Sequence, residues 1–237
     1  GVTLINRSIK QKTIFITENG YKLYKRSKEI IHLLETTYME VRHISDSIKG
    51  NIKVGASLTI GEYILPKFLT SFCKKYPDID VEIFIENTSL ISSRVKDLTL
   101  DLGFIEGISV YPNFNQEYLL EDKMVLALPY DSRLSNTHLS LDKLQNQNWI
   151  VREEGSGTRE FLNKFLSTNK IVPKNIMVLG SNYAVKEAVR NNLGITIISS
   201  LVASRAAENK ELLPKNITIS KIAEIFLNEF KEYIKIL

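Results

Sequence analysis

The 237 residues contain one cysteine, one tryptophan, three histidines and six prolines, and each scarcity removes a class of protein. A lone Cys73 cannot close an internal disulfide and fits a reducing cytoplasm, the expected location. Beside Phe68, Leu69 and Phe72 at helical spacing, it reads as buried filler. His32 and His43 have no cysteine or histidine partners at ligand spacing, so no metal site is expected. The longest apolar runs, such as Met124–Leu128, are too short to cross a bilayer. No charged, apolar, small-residue signal segment opens the chain, so export is not expected. Catalytic signatures are also missing. There is no Gly-x-Ser-x-Gly elbow and no Gly-x-x-x-x-Gly-Lys phosphate loop. Glu153 and Glu154 are adjacent and would point to opposite faces of a strand. Neither an enzyme nor a resident cofactor is expected.

What is present begins with unevenly placed charge. Residues 1–28 hold seven basic side chains and one acid, Glu18, a surplus of six where the whole chain carries +4. A basic end on a near-neutral body suits a polyanion such as DNA, although a solvated basic face would look the same. Residues 4–17 read as two short extended pieces around Lys10-Gln11-Lys12, with Thr17 as a helix N-cap and Glu18 in the first turn. From Glu18 to Ile48 there is no proline and one glycine, Gly20. A seam at Tyr24, Ser27, Ile31, Leu34, Tyr38, Val41, Ser45 and Ile48 advances in steps of three and four, the a/d pattern of a coiled coil. A helix over 18–48 would be about 46 Å long at 1.5 Å per residue. Dimerisation through Tyr24, Ile31, Leu34, Tyr38 and Val41 is the expected use, with packing along its own body as the alternative.

After Gly50 an α/β alternation begins. Strands are expected at 52–56, 81–85 and 100–105, with helices at 61–76 and 89–96 between them, an order that implies a parallel sheet. A second set follows, with strands at 123–129, 148–151, 175–180 and 194–199 and helices at 141–146, 157–168 and 182–192. Two such sets suggest two lobes and a cleft. The loop Gly155-Ser156-Gly157-Thr158-Arg159 joins a strand to a helix start and aims backbone N–H groups, hydroxyls and a guanidinium at one spot. Ser57-Leu-Thr59-Ile-Gly61 occupies the corresponding place in the first set. Either loop could be a plain polar turn; two in matching places favour a ligand that bridges them.

In order along the chain, Val2–Arg7, Ile14–Gly20, Ile52–Ser57, Ile64–Pro66, Phe68–Pro77, Asp101–Ile105 and Asn192–Ile195 resemble the LysR-type transcriptional regulators. The loops at 59–61 and 155–159 look most like a subgroup sensing sulfur- or carbon-assimilation metabolites. The resemblance implies an α/β fold: a two-lobed, periplasmic-binding-protein-like effector domain after a linker helix and a winged helix-turn-helix. It divides the chain into a wing remnant (1–17), a linker helix (18–48), lobe I (49–122 and 218–237) and lobe II (123–217). It implies a homodimer or tetramer that binds DNA and a small anionic effector, with no membrane partner. Ser57, Thr59, Ser156, Gly157, Thr158 and Arg159 would hold the effector, and Glu106 and Asn182 would line the cleft. The family's recognition helix should precede Gly1, which leaves Arg7, Lys10 and Lys12 of the wing as DNA contacts, to phosphate rather than bases. Residues 219–230 read as a terminal helix, so the strand that returns to lobe I in this family is either shortened or missing from the sequence between Asn216 and Ile219, and its being missing is the favoured expectation. The rival reading is a transport-type solute-binding protein for a small anion, which shares the two lobes but does not account for residues 1–48.

Overall fold

The computed structural model describes residues 1–8, 13–41, 48–107, 114–132, 134, 140–215 and 232–236. The chain opens with an antiparallel hairpin of β1 (Ile5–Ser8) and β2 (Thr13–Ile16), Ile5 facing Ile16. Thr17 then does two jobs. Its hydroxyl accepts from the Gly20 N–H at 3.0 Å, capping α1 (Glu18–Val41), and donates to the Thr3 carbonyl at 2.7 Å. Gly20 is required at this junction, because a Cβ there would overlap the Leu4 carbonyl. The described helix has 24 residues, about 36 Å. Residues 42–47, and with them Ser45 and His43, lie outside the described residues. Ile48 is not helical, which corrects the expected end of the seam. The sheet takes over here: Gly50, at φ +152°, donates to the Asp78 carbonyl and begins the pairing of the next strand.

The first lobe is built on β3 (Gly50–Ala56), β4 (Ile79–Ile85), β5 (Leu102–Ile105), β6 (Glu117–Asp122) and, from the chain's end, β12 (Glu232–Ile236), in the order β4-β3-β5-β12-β6. β3 runs parallel to β4 and β5, while β12 is antiparallel to β5 and β6. The sheet is therefore mixed, not parallel throughout. The strand expected to be missing is present as β12, which closes the edges that β5 and β6 would otherwise expose. The helix expected at 61–76 divides into a π turn (Ile60–Ile64) and α2 (Leu65–Lys75). Gly61 lets this wide turn sit on Ile85, whose side chain would lie 2.7 Å from an added Cβ. Cys73 is exposed on α2, not buried. The apolar face of this helix turns Leu65 and Leu69 to the core and leaves 73 outside. Next, α3 (Thr88–Lys96) packs Ile91 against Leu100 and Ile105.

The second lobe centres on β7 (Met124–Pro129), which pairs antiparallel with β10 (Thr196–Ser199) and β11 (Leu212–Lys215). β8 (Asn148–Arg152) runs parallel to β9 (Asn175–Leu179), and a Trp149–Ile195 bridge joins β8 to the β10 side. The helix expected at 141–146 is a single 3-10 turn, Leu141–Leu144. α4 (Gly157–Thr168), α5 (Asn182–Arg190) and α6 (Ser200–Glu208) cover the sheet. As the Asn191-Asn192 pair suggested, α5 exits through a left-handed residue, Asn192 at φ +59°. Sequence reasoning omitted β6, α6 and β11. The terminal helix expected at 219–230 lies outside the described residues.

Trp149, Ile150 and Ile197 are fully buried in this second core, with Trp149 tilted against Phe165 at 6.4 Å. Ile176, on β9, is half exposed. Ile197→Ala should lower the stability of this lobe by about 2–4 kcal/mol and Ile176→Ala by less than about 1 kcal/mol. Chemical denaturation followed by Trp149 emission reads both; equal losses would place the core elsewhere.

Candidate anion-binding site

The ends of β3, β5 and β8 bring polar side chains into an otherwise apolar interior. Ser57 and Thr59 follow β3, Glu106 follows β5, and Arg152 ends β8; all four are buried. Ser156 and Thr158, at the start of α4, and Asn182, at the start of α5, are buried as well. Burying this many polar groups is costly unless each finds a partner.

Some do. Arg152 donates through Nη1 to the Asn182 Oδ1 at 2.7 Å, and its Nε and Nη2 form a fork on the Glu153 carboxylate, 2.8 Å each. Asn182 then donates across the lobes to the Thr59 hydroxyl at 3.4 Å. A second cross-lobe contact runs from the Ser89 N–H to the Gly155 carbonyl at 3.0 Å, and Asn87 Nδ2 lies 3.4 Å from Glu153 Oε1. Gly155, at φ +85°, is where a Cβ would press on Ser89 at 2.9 Å. The turn after Glu106 meets α4 directly: a Cβ on Gly107 would sit 3.3 Å from Gly157 Cα.

Others do not. Ser57 Oγ and Glu106 Oε1 are buried and make no well-formed hydrogen bond, although the Ser57 hydroxyl lies close enough to Glu106 to favour its charged form, and Ser156 sits at the N-cap of α4 without using its hydroxyl to cap. Burial, opposed by the Thr59 hydroxyl and reinforced by the charge of Asp122, pushes the Glu106 carboxyl up to about 7; Arg152 and the Ser57 hydroxyl pull the other way. Asp122, at the β6–β7 junction where the chain crosses between lobes, is raised by burial to about 6 despite a 2.9 Å bond from the Ser199 hydroxyl. For Glu153, burial is outweighed by the Arg152 fork, which holds its carboxyl below the usual range.

Residues 45–222 match the family of LysR substrate binding domains. The chain belongs to the LysR-type transcriptional regulators. It is 38% identical over 232 residues to the HTH-type transcriptional regulator CysL of Bacillus subtilis, covering 98% of this chain and 75% of that protein. It is 32% identical over 241 residues to a probable RuBisCO transcriptional regulator of Thalassiosira pseudonana, covering 96% and 78%. Among solved structures it matches the regulatory domain of CcmR from Synechocystis PCC6803, in complex with 2-PG, with a TM-score of 0.68 at 24% identity, over 79% of this chain and 86% of that one. The two lobes therefore have the periplasmic-binding-protein-like fold of LysR effector domains.

Within that fold, the structure brings Ser57, Thr59, Glu106 and Asn182 together around Arg152, and sets Ser156, Gly157 and Thr158 at the head of α4 beside Gly107. Arg159 turns elsewhere: Nη1 donates to the Arg152 carbonyl at 3.2 Å, Nη2 meets Glu154 at 3.3 Å, and its buried Nε has no partner. Sequence reasoning missed Arg152, the guanidinium at the centre. An arginine closing the run Trp149-Ile150-Val151 was the available signal, because a charge continuing a buried strand asks for a partner. At the other end of the chain, Tyr24, Ile31, Leu34, Tyr38 and Val41 are all exposed on α1. Ile30, Leu33 and Thr37 join Leu34, Tyr38 and Val41 in a shallow apolar groove of about 580 Å³, wider than a two-position seam. Arg7 lies on β1, while Lys10 and Lys12 fall outside the described residues. Among the described residues no helix is long and apolar enough to cross a membrane, and no group of three metal-ligating side chains occurs.

Because Glu106 has a higher pKa folded, about 7, than its usual 4.5, the folded state binds the extra proton between those values. Its charged form therefore costs stability progressively as pH rises from about 4.5 through about 7. Glu106→Gln should be more stable than the parent at pH 8, by on the order of 2 kcal/mol, and equal to it near pH 4.5. Thermal melts across that range test this; a difference independent of pH would remove the buried carboxylate from the account.

Proposed function

We propose that the chain is the sensing and dimerising part of a DNA-binding regulator whose cleft takes a small anionic metabolite. The carrying observation is the cluster of buried polar side chains, Ser57, Thr59, Glu106, Ser156 and Thr158, gathered near Arg152 and the head of α4. The anion lies between the Ser57–Thr59 loop and the Ser156–Thr158 loop. There it draws on hydroxyl donors, the N–H groups and dipole of α4, and the charge of Arg152. Asn182, bonded to Arg152, belongs to the same site, and Arg159 supports it from behind through the Arg152 carbonyl. Glu106 meets the anion as a neutral acid, because a second negative charge in that interior would repel it.

The functional reading follows from differential binding. An anion that fits one lobe arrangement better than another shifts the equilibrium between them, and the lobes of two chains joined along α1 then change the spacing of the DNA-binding ends. In this reading residues 1–17 are a wing whose Arg7, Lys10 and Lys12 contact phosphates, 18–48 the linker, and 49–122 with 218–237, and 123–217, the two lobes. The role is recognition in the cytoplasm, not catalysis. Of the carbon- or sulfur-assimilation metabolites that the loops suggest, the probable RuBisCO regulator among the relatives and the 2-PG named for the CcmR domain favour the carbon side.

Titration with sulfate, phosphate and 2-PG, read calorimetrically and by Trp149 emission, should find at least one of them bound. Arg152→Gln should weaken that binding about 10- to 100-fold, and Thr59→Ala or Ser156→Ala about 3- to 10-fold. Affinities unchanged by all three substitutions would overturn the site. Dimerisation has its own check. Leu34→Glu puts a charge in the apolar groove of α1 and should convert dimers to monomers in sedimentation; an unchanged species would move the interface away from α1.

A further inference from the structure

α3 is hydrogen-bonded at both ends to parts of the molecule other than its own lobe's core. At its N-terminus Asn87 caps the helix, accepting from the Leu90 N–H at 3.0 Å, while its amide reaches Glu153 Oε1 at 3.4 Å and the Glu154 carbonyl at 3.5 Å on the other lobe. Ser89 donates to the Gly155 carbonyl, one residue from the candidate anion loop, and the Thr88 hydroxyl donates to the Glu106 carbonyl at 3.1 Å. At the other end, Lys28 of α1 donates from Nζ to the Asp97 and Leu98 carbonyls, both at 2.9 Å. From Tyr21 to Ile31, α1 is exposed except at Ser27, Lys28 and Glu29, which are half-buried. The linker helix therefore leans on the lobe at this spot.

The junction is built with some strain. α3 ends in a Schellman motif, with Thr99 N–H on the Arg94 carbonyl and Leu98 N–H on that of Val95. The left-handed position, usually glycine, is Leu98 at φ +54°. A leucine persists there only where its surroundings impose it. The Lys28 ammonium meets the negative end of the α3 dipole and the two outward carbonyls, and lies 5.5 Å from the Tyr24 ring. Between the two ends Ile91 and Ser92 are fully buried, and the nine-residue helix spans about 13 Å.

We propose that α3 is a strut carrying the position of the Glu153–Gly155 loop to the linker helix, and that Lys28 is the positioning residue at which the linker receives it. The proposal rests on the effector reading for its biological use, but the mechanical link exists with or without an effector. An account of coupling needs a shared element that both sites bias; α3 is that element, since neither α1 nor the anion loop needs to touch the other.

The test uses hydrogen exchange on the 237-residue chain, without ligand. Asn87→Asp keeps a good N-cap but sets a carboxylate against Glu153, cutting the cross-lobe end. Lys28→Met keeps the apolar stem and removes the two bonds at the other end. Asn87→Asp should speed exchange in the α1 segment 24–34 by about 3- to 10-fold. In the Lys28→Met background it should add nothing, the non-additivity expected of coupled sites. Gly155→Ala, whose Cβ presses on Ser89, makes the same cut from the opposite lobe and should give the same pattern even if Asn87→Asp loosens α3 itself. Unchanged α1 exchange in both Asn87→Asp and Gly155→Ala, or equal changes with and without Lys28, overturns the strut. Either outcome leaves the anion-binding measurements untouched, so failure of the strut and failure of the effector site are separable.

Discussion

A carboxylic acid buried between two lobes, with its nearest guanidinium already committed, is the constraint on which the rest of the site depends. Arg152 spends two of its donors on Glu153 and a third on Asn182, so it can pull Glu106 down only from a distance. Only the Thr59 and Ser57 hydroxyls and the distant Arg152 favour the charged form of Glu106, and Asp122 adds a like charge nearby. In such an interior a charge must be paired, protonated or met by a ligand. In the function proposed, a small anion near the Ser156–Thr158 loop would resolve this by favouring the neutral acid, which could then donate a hydrogen bond.

The same arrangement explains why the lobes are held where they are. The Asn182–Thr59, Ser89–Gly155 and Lys186–Tyr63 bonds join opposite lobes through single hydrogen bonds, each worth about 1 kcal/mol net. Contacts that weak can be exchanged for contacts to a ligand. The crossing at Asp122–Lys123 is tighter: Ser199 bonds the Asp122 side chain and Ser200 N–H the Lys123 carbonyl.

Much of the architecture was legible because it is written in local chemistry. Thr17 and Glu18 announced a helix start, Asn191-Asn192 a helix exit, and the apolar runs at 52–56 and 148–151 their strands. The two hydroxyl-bearing loops could be found because strand, glycine and helix start follow one another in the chain. What escaped lacks such a signal. β6 is polar or exposed on both faces except at Asp122, β11 carries Pro214, and α6 follows β10 without a break. β12 is a strand only because β5 and β6 flank it, a fact of topology. Cys73 sat among apolar neighbours in sequence yet faces solvent, since helical phase, not neighbourhood, decides burial. Arg152 was overlooked for the converse reason, as arginine usually ends in water.

An anion bound in the cleft would keep Glu106 in its neutral form. Proton uptake on binding measures this most directly: calorimetric titration at pH 8 with the tightest binder among sulfate, phosphate and 2-PG, in two buffers of different ionisation enthalpy. Uptake approaching one proton per chain is expected, abolished by Glu106→Gln while binding persists. Binding with no proton uptake in the parent chain, or uptake unaffected by the substitution, would contradict it.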